Sequence, residues 1–189
     1  NKTNEDKITI SNAYADSDGW YWVGTINFAD KTVWDRAYIQ EVTRYFVGTE
    51  EDDVIAGRGW GYNYNQSEVF NAGGGNDTVN AGDGNDVIYG ESGNDTLSGG
   101  TGNDYIEGGT GNDTLSGNDG ADTYFFNLGD GEDIINNYDR YNWSKDKIVF
   151  GEGVNPEDIE VIREGNNLIL NNKTNEDKIT ISNAYADSD

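Results

Sequence analysis

Aspartate recurs every nine residues through the middle of the chain. From Ala72 the sequence reads AGGGNDTVN, AGDGNDVIY, GESGNDTLS, GGTGNDYIE, GGTGNDTLS and GNDGADTYF. The sixth residue of each block is an aspartate: Asp77, Asp86, Asp95, Asp104, Asp113 and Asp122. Carboxylates in a translational series form rows of like charge rather than one asymmetric acid–base pair. The spacing therefore favours binding of hard cations, and we expect no enzymatic activity.

The other positions of the block predict how these carboxylates are held. The fourth residue is Gly in all six blocks, and the last three residues alternate as in a strand, with an apolar side chain at the eighth. Glycine permits the positive φ angles that tight turns need. Short strands joined by such turns predict an all-β fold, a parallel β-roll in which one coil takes two blocks. Residues 18 apart then lie above one another.

Four pairs of aspartates face each other in this register. They are Asp77/Asp95, Asp86/Asp104, Asp95/Asp113 and Asp104/Asp122. A cation between two such carboxylates and several turn carbonyls would have only oxygen ligands, which suits Ca²⁺ better than Mg²⁺. Irregular blocks at 48–56 and 128–136 add Asp53 and Asp133 at the sixth position. Glu68 occupies the same position one block before Asp77. Three further slots, Asp53/Asp77, Glu68/Asp86 and Asp113/Asp133, depend on how these blocks fit.

The composition agrees with a protein that needs cations. The chain has 36 Asp and Glu against 12 Lys and Arg, a net charge of −24, so a folded body repels itself unless ions neutralise it. There is no Cys, His or Met, which excludes disulfides, Cys/His zinc sites and histidine-based triads. The charge predicts no binding to nucleic acid or anionic membranes, and no apolar run is long enough to span a bilayer.

The blocks resemble the GGxGxDxUx pattern of haemolysin-type calcium-binding repeats in RTX proteins. The flank that begins GADTYFFNLGDGEDIINNYD also resembles the segment that often follows such arrays. The resemblance implies several Ca²⁺ ions, with the six aspartates as ligands and help from the carbonyls of turn glycines. We select Gly82, Gly84, Gly100, Gly102, Gly109 and Gly111 for that role. It also implies type I export, folding outside the cell and a secreted or bacterial cell-surface location.

A longer period surrounds the array. Residues 172–189 repeat residues 1–18 without a difference, at an offset of 171. A tandem parent protein or a cloning duplication would each explain this, and we favour the tandem parent. We divide the chain into an N-terminal flank (1–46), the roll (47–136) and a C-terminal antiparallel flank (137–189). The flanks should cap the roll with a hairpin (VGTINF-ADK-TVW), a short helix over 34–42 and a meander over 146–183.

Several functions fit this organisation. We expect a calcium-folded structural or extender module whose partners are calcium and neighbouring identical units. Because 1–18 and 172–189 are identical, strand-swapped self-association is an alternative to simple capping. Aromatic clusters outside the array suggest an adhesin or glycan-binding module: Trp20, Tyr21 and Trp22; Trp60, Tyr62 and Tyr64; Tyr138, Tyr141 and Trp143. Ice binding is disfavoured, because Thr101 and Thr110 fall on opposite sides of the coil.

Overall fold

The computed structural model describes residues 25–27, 33–35, 44–57, 66–136, 138 and 145–185. The chain separates into two compact units, 1–43 and 44–189. In the first unit, β1 (Thr25–Asn27) and β2 (Val33–Asp35) pair antiparallel, which confirms the predicted hairpin. The helix predicted over 34–42 is wrong at its start, because Trp34 and Asp35 belong to β2; its remaining residues lie outside the described part of the chain.

The second unit consists of strands and one short 3₁₀ helix, Pro156–Asp158, in the parts that the structure describes. Its strands are β3 (Tyr45–Val47), β4 (Val54–Ala56), β5 (Val69–Gly74), β6 (Thr78–Asp83), β7 (Val87–Ser92), β8 (Thr96–Thr101), β9 (Tyr105–Glu107), β10 (Thr114–Asp119), β11 (Thr123–Phe126), β12 (Glu132–Asn136), β13 (Lys147–Phe150), β14 (Ile159–Glu164), β15 (Asn167–Asn172) and β16 (Lys178–Ser182). From β3 to β13, consecutive strands go to alternate sheets. The sheet orders are β14-β15-β16-β12-β10-β8-β6-β4 and β13-β11-β9-β7-β5-β3.

The strand register confirms a coil of two blocks. In one sheet Val79 lies beside Leu97 and Leu97 beside Leu115, and in the other Ile88 lies beside Ile106. Each step is 18 residues, and all these pairs are parallel. The fold is therefore the all-β parallel roll that the nine-residue pattern predicts. Connections of this kind bring each turn directly above the turn of the coil before it.

The core is a narrow file of side chains between the two sheets. The apolar eighth positions are at most 1% exposed: Val79, Ile88, Leu97, Ile106, Leu115 and Tyr124. Phe70 extends this file and stacks on Phe46, with ring centroids 4.7 Å apart. At the other end the Tyr124 hydroxyl accepts the backbone N–H of Gly117 at 2.7 Å, so its polar atom is satisfied in the core. Burial is complete but involves about one large side chain per block.

The predicted meander over 146–183 requires a correction at its first strand. β13 pairs parallel with β11, with Tyr124 beside Ile148, and therefore continues the roll instead of starting the antiparallel flank. The reason is that Asp146 and Ile148 keep the sixth and eighth positions of the block, at an offset of 24 from Asp122 and Tyr124. The extra residues lie between the strands and do not disturb the pairing. The β4–β6 and β3–β5 pairs have the same offset of 24.

The remaining strands form the predicted antiparallel meander and close one end of the roll. β14 pairs with β15 and β15 with β16, both antiparallel, while β16 also pairs parallel with β12. The Asp177 carboxylate accepts the backbone N–H groups of Gly129 and Gly131 at 2.7 and 3.3 Å. In the regular array, the N–H of Gly102 donates to the carbonyl of Asp119 in the next coil. Asp177 thus replaces a missing turn beyond the last one.

Glycine at the fourth position is required for contact as well as conformation. Gly102 has φ +126°, and a Cβ built on it would overlap the carbonyl oxygen of Gly84 in the coil before. The same overlap occurs at Gly93, Gly111 and Gly120, each with the coil before it. Gly129 has a similar φ of +95° but nothing within 4 Å of a built Cβ. The two positions therefore separate backbone strain from crowding.

We expect Gly102→Ala to destabilise the calcium-loaded protein much more than Gly129→Ala. The control variant should lose about 1–2 kcal/mol through its positive φ alone. Gly102→Ala should lose a further ~1–3 kcal/mol because the coils must separate to admit the methyl group. Urea unfolding followed by far-UV circular dichroism measures both. Equal losses would show that crowding between coils does not determine this position.

Candidate calcium sites

The sixth-position aspartates form a ladder of hydrogen bonds on each side of the roll. On one side the N–H of Asp77 donates to Asp95 Oδ1 at 2.7 Å, and the N–H of Asp95 donates to Asp113 Oδ1 at 2.8 Å. On the other side the N–H of Asp86 donates to Asp104 Oδ1 at 2.8 Å, and the N–H of Asp104 donates to Asp122 Oδ1 at 2.9 Å. These are the four pairs that the 18-residue register predicts. Each carboxylate therefore already binds the backbone of the coil before it.

Both ladders continue into the irregular blocks. The backbone N–H of Asp53 donates to Asp77 Oδ1 at 2.7 Å, that of Glu68 to Asp86 Oδ1 at 2.8 Å, and that of Asp113 to Asp133 Oδ1 at 2.8 Å. The three pairs that depend on the irregular blocks are therefore also in contact. The structure adds a pair that sequence reasoning missed, because the Asp122 N–H donates to Asp146 Oδ1 at 2.9 Å. The sequence signal was DKIVF, an Asp followed two residues later by an apolar side chain, which had been assigned to the meander.

The fifth position carries a second ladder that the sequence analysis did not use. The Asn94 N–H donates to Asn76 Oδ1 at 2.8 Å, and Asn112 donates to Asn94 at 2.8 Å. On the other side Asn103 donates to Asn85 at 2.7 Å. Each asparagine accepts from the coil after it, whereas each aspartate accepts from the coil before it. The two ladders therefore fix the turns from opposite directions, and the recurring Asn before each Asp was the available signal.

The second carboxylate oxygen of the regular aspartates is buried without a hydrogen-bond partner. This holds for Oδ2 of Asp77, Asp86, Asp95, Asp104 and Asp113, whose side chains are at most 2% exposed. Oδ2 points back into its own turn, where a Cβ on the first-position glycine would overlap it, as at Gly99 with Asp104 and Gly108 with Asp113. A buried carboxylate oxygen without a partner is costly unless a cation or proton compensates it.

Burial and neighbouring carboxylates oppose ionisation in these turns. Desolvation is the largest cause and raises the pKa of Asp86 and Asp95 to about 6, of Asp104 and Asp113 to about 7, and of Asp133 to about 8. The ladder N–H groups lower each pKa only in part, and the adjacent aspartates raise it again. Without an ion, these carboxylates therefore take up protons more readily than an exposed aspartate does, and a bound cation would reverse this by favouring the charged form.

The predicted glycines supply the geometry for additional oxygen ligands. Positive φ occurs at Gly82, Gly84, Gly100, Gly102, Gly109 and Gly111. The carbonyls of Gly84 and Gly82 face Gly102 and Gly100 in the next coil. No three acidic side chains of the described residues converge to hold a metal alone. Since Ca²⁺ takes 6–8 oxygens, backbone carbonyls would have to supply most of them. The residues present fit Ca²⁺, and the glycines as ligands remain a prediction.

Asp53 differs from the regular aspartates. Its Oδ2 accepts the N–H of Thr49 at 2.6 Å and the hydroxyl of Thr49 at 2.8 Å, and its side chain is only half-buried. This oxygen is already satisfied inside its own turn. Asp53 is therefore a weaker ligand candidate than Asp95 or Asp104. Glu51 takes the place of the fourth-position glycine in this turn, which agrees with an irregular site.

Only some of the residues on which the ice-binding and adhesin alternatives depend lie in the described part of the chain. Thr78, Thr96 and Thr114 align, but so do Asp83, Thr101 and Asp119, and the Thr101 hydroxyl donates to Asp83 at 2.7 Å. This mixed series does not form the flat threonine file of the ice-binding alternative. Of the aromatic clusters, Tyr138 is described and is exposed; the other members lie outside the described residues. No described helix is long and apolar enough to cross a membrane.

The fold and its buried carboxylate rows define a calcium-binding repeat module. Residues 62–97 and 98–133 each match the four-copy model of the RTX calcium-binding nonapeptide repeat, and residues 1–38 match the haemolysin-type calcium binding protein related domain. The array therefore belongs to the RTX calcium-binding repeats. Among solved structures, the chain is similar to the AlgE6R3 subunit of the Azotobacter vinelandii mannuronan C5-epimerase, with 25% identity over 74% of each chain and a TM-score of 0.30. No curated protein matches.

We predict that pH acts in opposite directions with and without calcium. The raised pKa of Asp104 and Asp113 means that the metal-free roll holds protons that the unfolded chain releases above about pH 4. Stability without metal is therefore fully present below about pH 4, falls as the pH rises, and is lost once the pH has passed the folded-state pKa values of about 6–8. With saturating calcium, protons compete with the ion, so stability should fall on acidification. Melting temperatures in metal-free and calcium buffers measure this; the same sign in both would contradict it.

We expect Asp104→Asn to weaken calcium-dependent folding more than Asp53→Asn. Asparagine keeps Oδ1 as the acceptor for the Asp86 N–H but removes the charge and the partnerless Oδ2. Asp104 lies between two slots, and loss of one charge should raise its calcium midpoint by about threefold or more. A calcium titration followed by circular dichroism measures the midpoint, with the exposed Glu160→Gln as a charge-matched control. Equal shifts in the calcium midpoint of all three variants would show that only net charge matters, which would contradict the prediction.

Proposed function

We propose that this chain is a non-catalytic, calcium-folded structural or extender module of a secreted repetitive protein. The observation that carries the proposal is the row of buried, partnerless Oδ2 atoms in successive turns, which cations would satisfy. The repeat family supports calcium as that cation. The 18-residue duplication at an offset of 171 supports neighbouring units of the same sequence as partners. The proposed role is mechanical: each unit sets a length and a direction along the parent protein.

Calcium would then act as the folding switch. In the metal-free chain, the like-charged ladders and a net charge of −24 oppose the stacking of coils. A narrow core of one large side chain per block offers little burial to offset this repulsion and the ordering of so many glycines. Extracellular sites of this type bind Ca²⁺ at about 10⁻⁴–10⁻³ M, far above cytosolic concentrations. The chain would therefore stay unfolded for type I export and fold outside the cell.

Removal and return of calcium test this proposal on the whole chain. In chelator at neutral pH, far-UV circular dichroism should show a spectrum without strand signal, and calcium should restore the strand signal cooperatively at about 10⁻⁴–10⁻³ M. Mg²⁺ at the same concentration should restore much less, because its strict octahedral geometry suits these turns poorly. A strand signal that chelator leaves unchanged would refute calcium-dependent folding.

The described residues contain no observation that favours the adhesin alternative over the extender role. Its aromatic candidates other than Tyr138 lie outside them. A glycan array on the calcium-loaded chain, repeated after replacement of Trp60 or Trp143, would decide whether these aromatics bind sugars. Binding that depends on either tryptophan would add an adhesive function to the module.

A further inference from the structure

The last strand of the roll belongs to a segment that the chain carries twice. β16 lies in residues 172–189, and residues 1–18 have the identical sequence. Identical sequences can make identical contacts wherever the complementary surface is free. The match of residues 1–38 to the haemolysin-type related domain includes this same segment. One sequence therefore occurs both in the closing strand of the roll and in a region that matches that domain.

The surface that receives β16 is built entirely from residues before 172. β12 pairs with it along five residues, from Glu132 beside Lys178 to Asn136 beside Ser182. β15 pairs with its other side, from Asn171 beside Lys178 to Leu168 beside Ile181. Without β16, these two strands would expose unpaired backbone groups facing each other. Such a gap accepts one strand of fitting sequence by β-augmentation.

Side chains of residues 172–189 make the gap between β12 and β15 specific for this sequence. Ile179 is 5% exposed within the core cluster, and Ile181 packs against that cluster. Asp177 accepts N–H groups from Gly129 and Gly131, and Lys178 forms an ion pair with Glu132. Farther on, the Arg163 guanidinium lies 4.3 Å from the ring centre of Tyr185. The matching residues of the first copy are Asp6, Lys7, Ile8, Ile10 and Tyr14.

We propose that residues 1–18 of one molecule form the closing strand of the roll of another. The donor lies at the start of the chain and the acceptor at 129–171, so the contact joins two different surfaces, and its repetition gives a swapped pair, a ring or an open chain. In a longer chain that repeats this unit, the same contact would join consecutive units through a shared strand rather than a flexible linker. The inference requires a folded roll and so rests on the calcium-dependent folding proposed above.

In the intact chain, residues 172–189 compete for this place with the advantage of a covalent connection. A tethered strand acts at an effective concentration of about millimolar. We therefore expect the unmodified chain to be monomeric at micromolar concentrations. Ile179→Asp with Ile181→Asp disables the second copy, because it places two charges in the core. The first copy then becomes the better strand, and the gap of another molecule is open to it.

Four full-length proteins in calcium test the proposal by light scattering after size exclusion. The unmodified chain and Ile8→Asp/Ile10→Asp should be monomeric, while Ile179→Asp/Ile181→Asp should form concentration-dependent assemblies at multiples of 20.7 kDa. The variant with all four substitutions has an acceptor but no donor and should be monomeric. Assemblies that persist with all four substitutions would overturn the proposal, since they would not need residues 1–18.

A peptide removes the ambiguity that donor and acceptor could meet within one molecule. The labelled peptide NKTNEDKITISNAYADSD should bind the fourfold variant, and a peptide with both isoleucines changed to aspartate should bind it at least about tenfold more weakly. Circular dichroism first shows whether calcium folds the roll. If the variant folds and binds neither peptide, the proposal fails while calcium-dependent folding stands. If it does not fold, the unmodified peptide must restore its strand signal, and no restoration overturns the proposal.

Discussion

The structure depends on a row of carboxylates that are only half satisfied by the protein. In the turns of five aspartates, one carboxylate oxygen accepts the backbone N–H of the coil before, and the other is buried without a hydrogen-bond partner: Asp77, Asp86, Asp95, Asp104 and Asp113. The first contact sets the distance between coils and the second leaves a charge that the polypeptide does not neutralise. Because the same carboxylates repel one another along the ladder, the arrangement is stable only when a proton or a cation occupies the turn. In the RTX calcium-binding repeats, to which this array belongs, that cation is calcium.

Most other features of the roll follow from keeping the turns this close. The fourth position must be glycine because the carbonyl of the coil before occupies the space of a side chain, as Gly84 does at Gly102. The fifth-position asparagines accept from the opposite direction, so each turn is bound to both neighbours. A coil therefore has few interactions of its own and many with adjacent coils. Stability is shared between neighbours, as in other solenoids, and the array should gain order cooperatively.

The sequence was sufficient for the fold and for the regular ladders. A strict nine-residue period, with one apolar and one acidic position, admits only one stacking register, and Asp77 and Asp95 meet as that register requires. It was insufficient where the period is interrupted. Between Asp122 and Asp146, extra residues hide the phase, so β13 looked like a flanking strand although it pairs with β11. Local pattern cannot show that a long connection returns to the next coil, because only the pairing itself decides this.

The end of the roll was harder to predict for a different physical reason. Repetition explains the interior, but the final turn has no successor, and its N–H groups need other acceptors. Asp177 meets that need at Gly129 and Gly131. The nine-residue repeat does not predict its position, because Ile179, and not an aspartate, lies beside Asp133 in the pairing of β16 with β12. A terminal element must pair with the last coil as another coil would, and it must also prevent a further parallel strand from being added. β16 does the first by pairing parallel with β12, and the antiparallel β15 does the second. The closing strand is therefore defined by the surface it completes and not by the chain that carries it, which explains why a second copy of its sequence is significant.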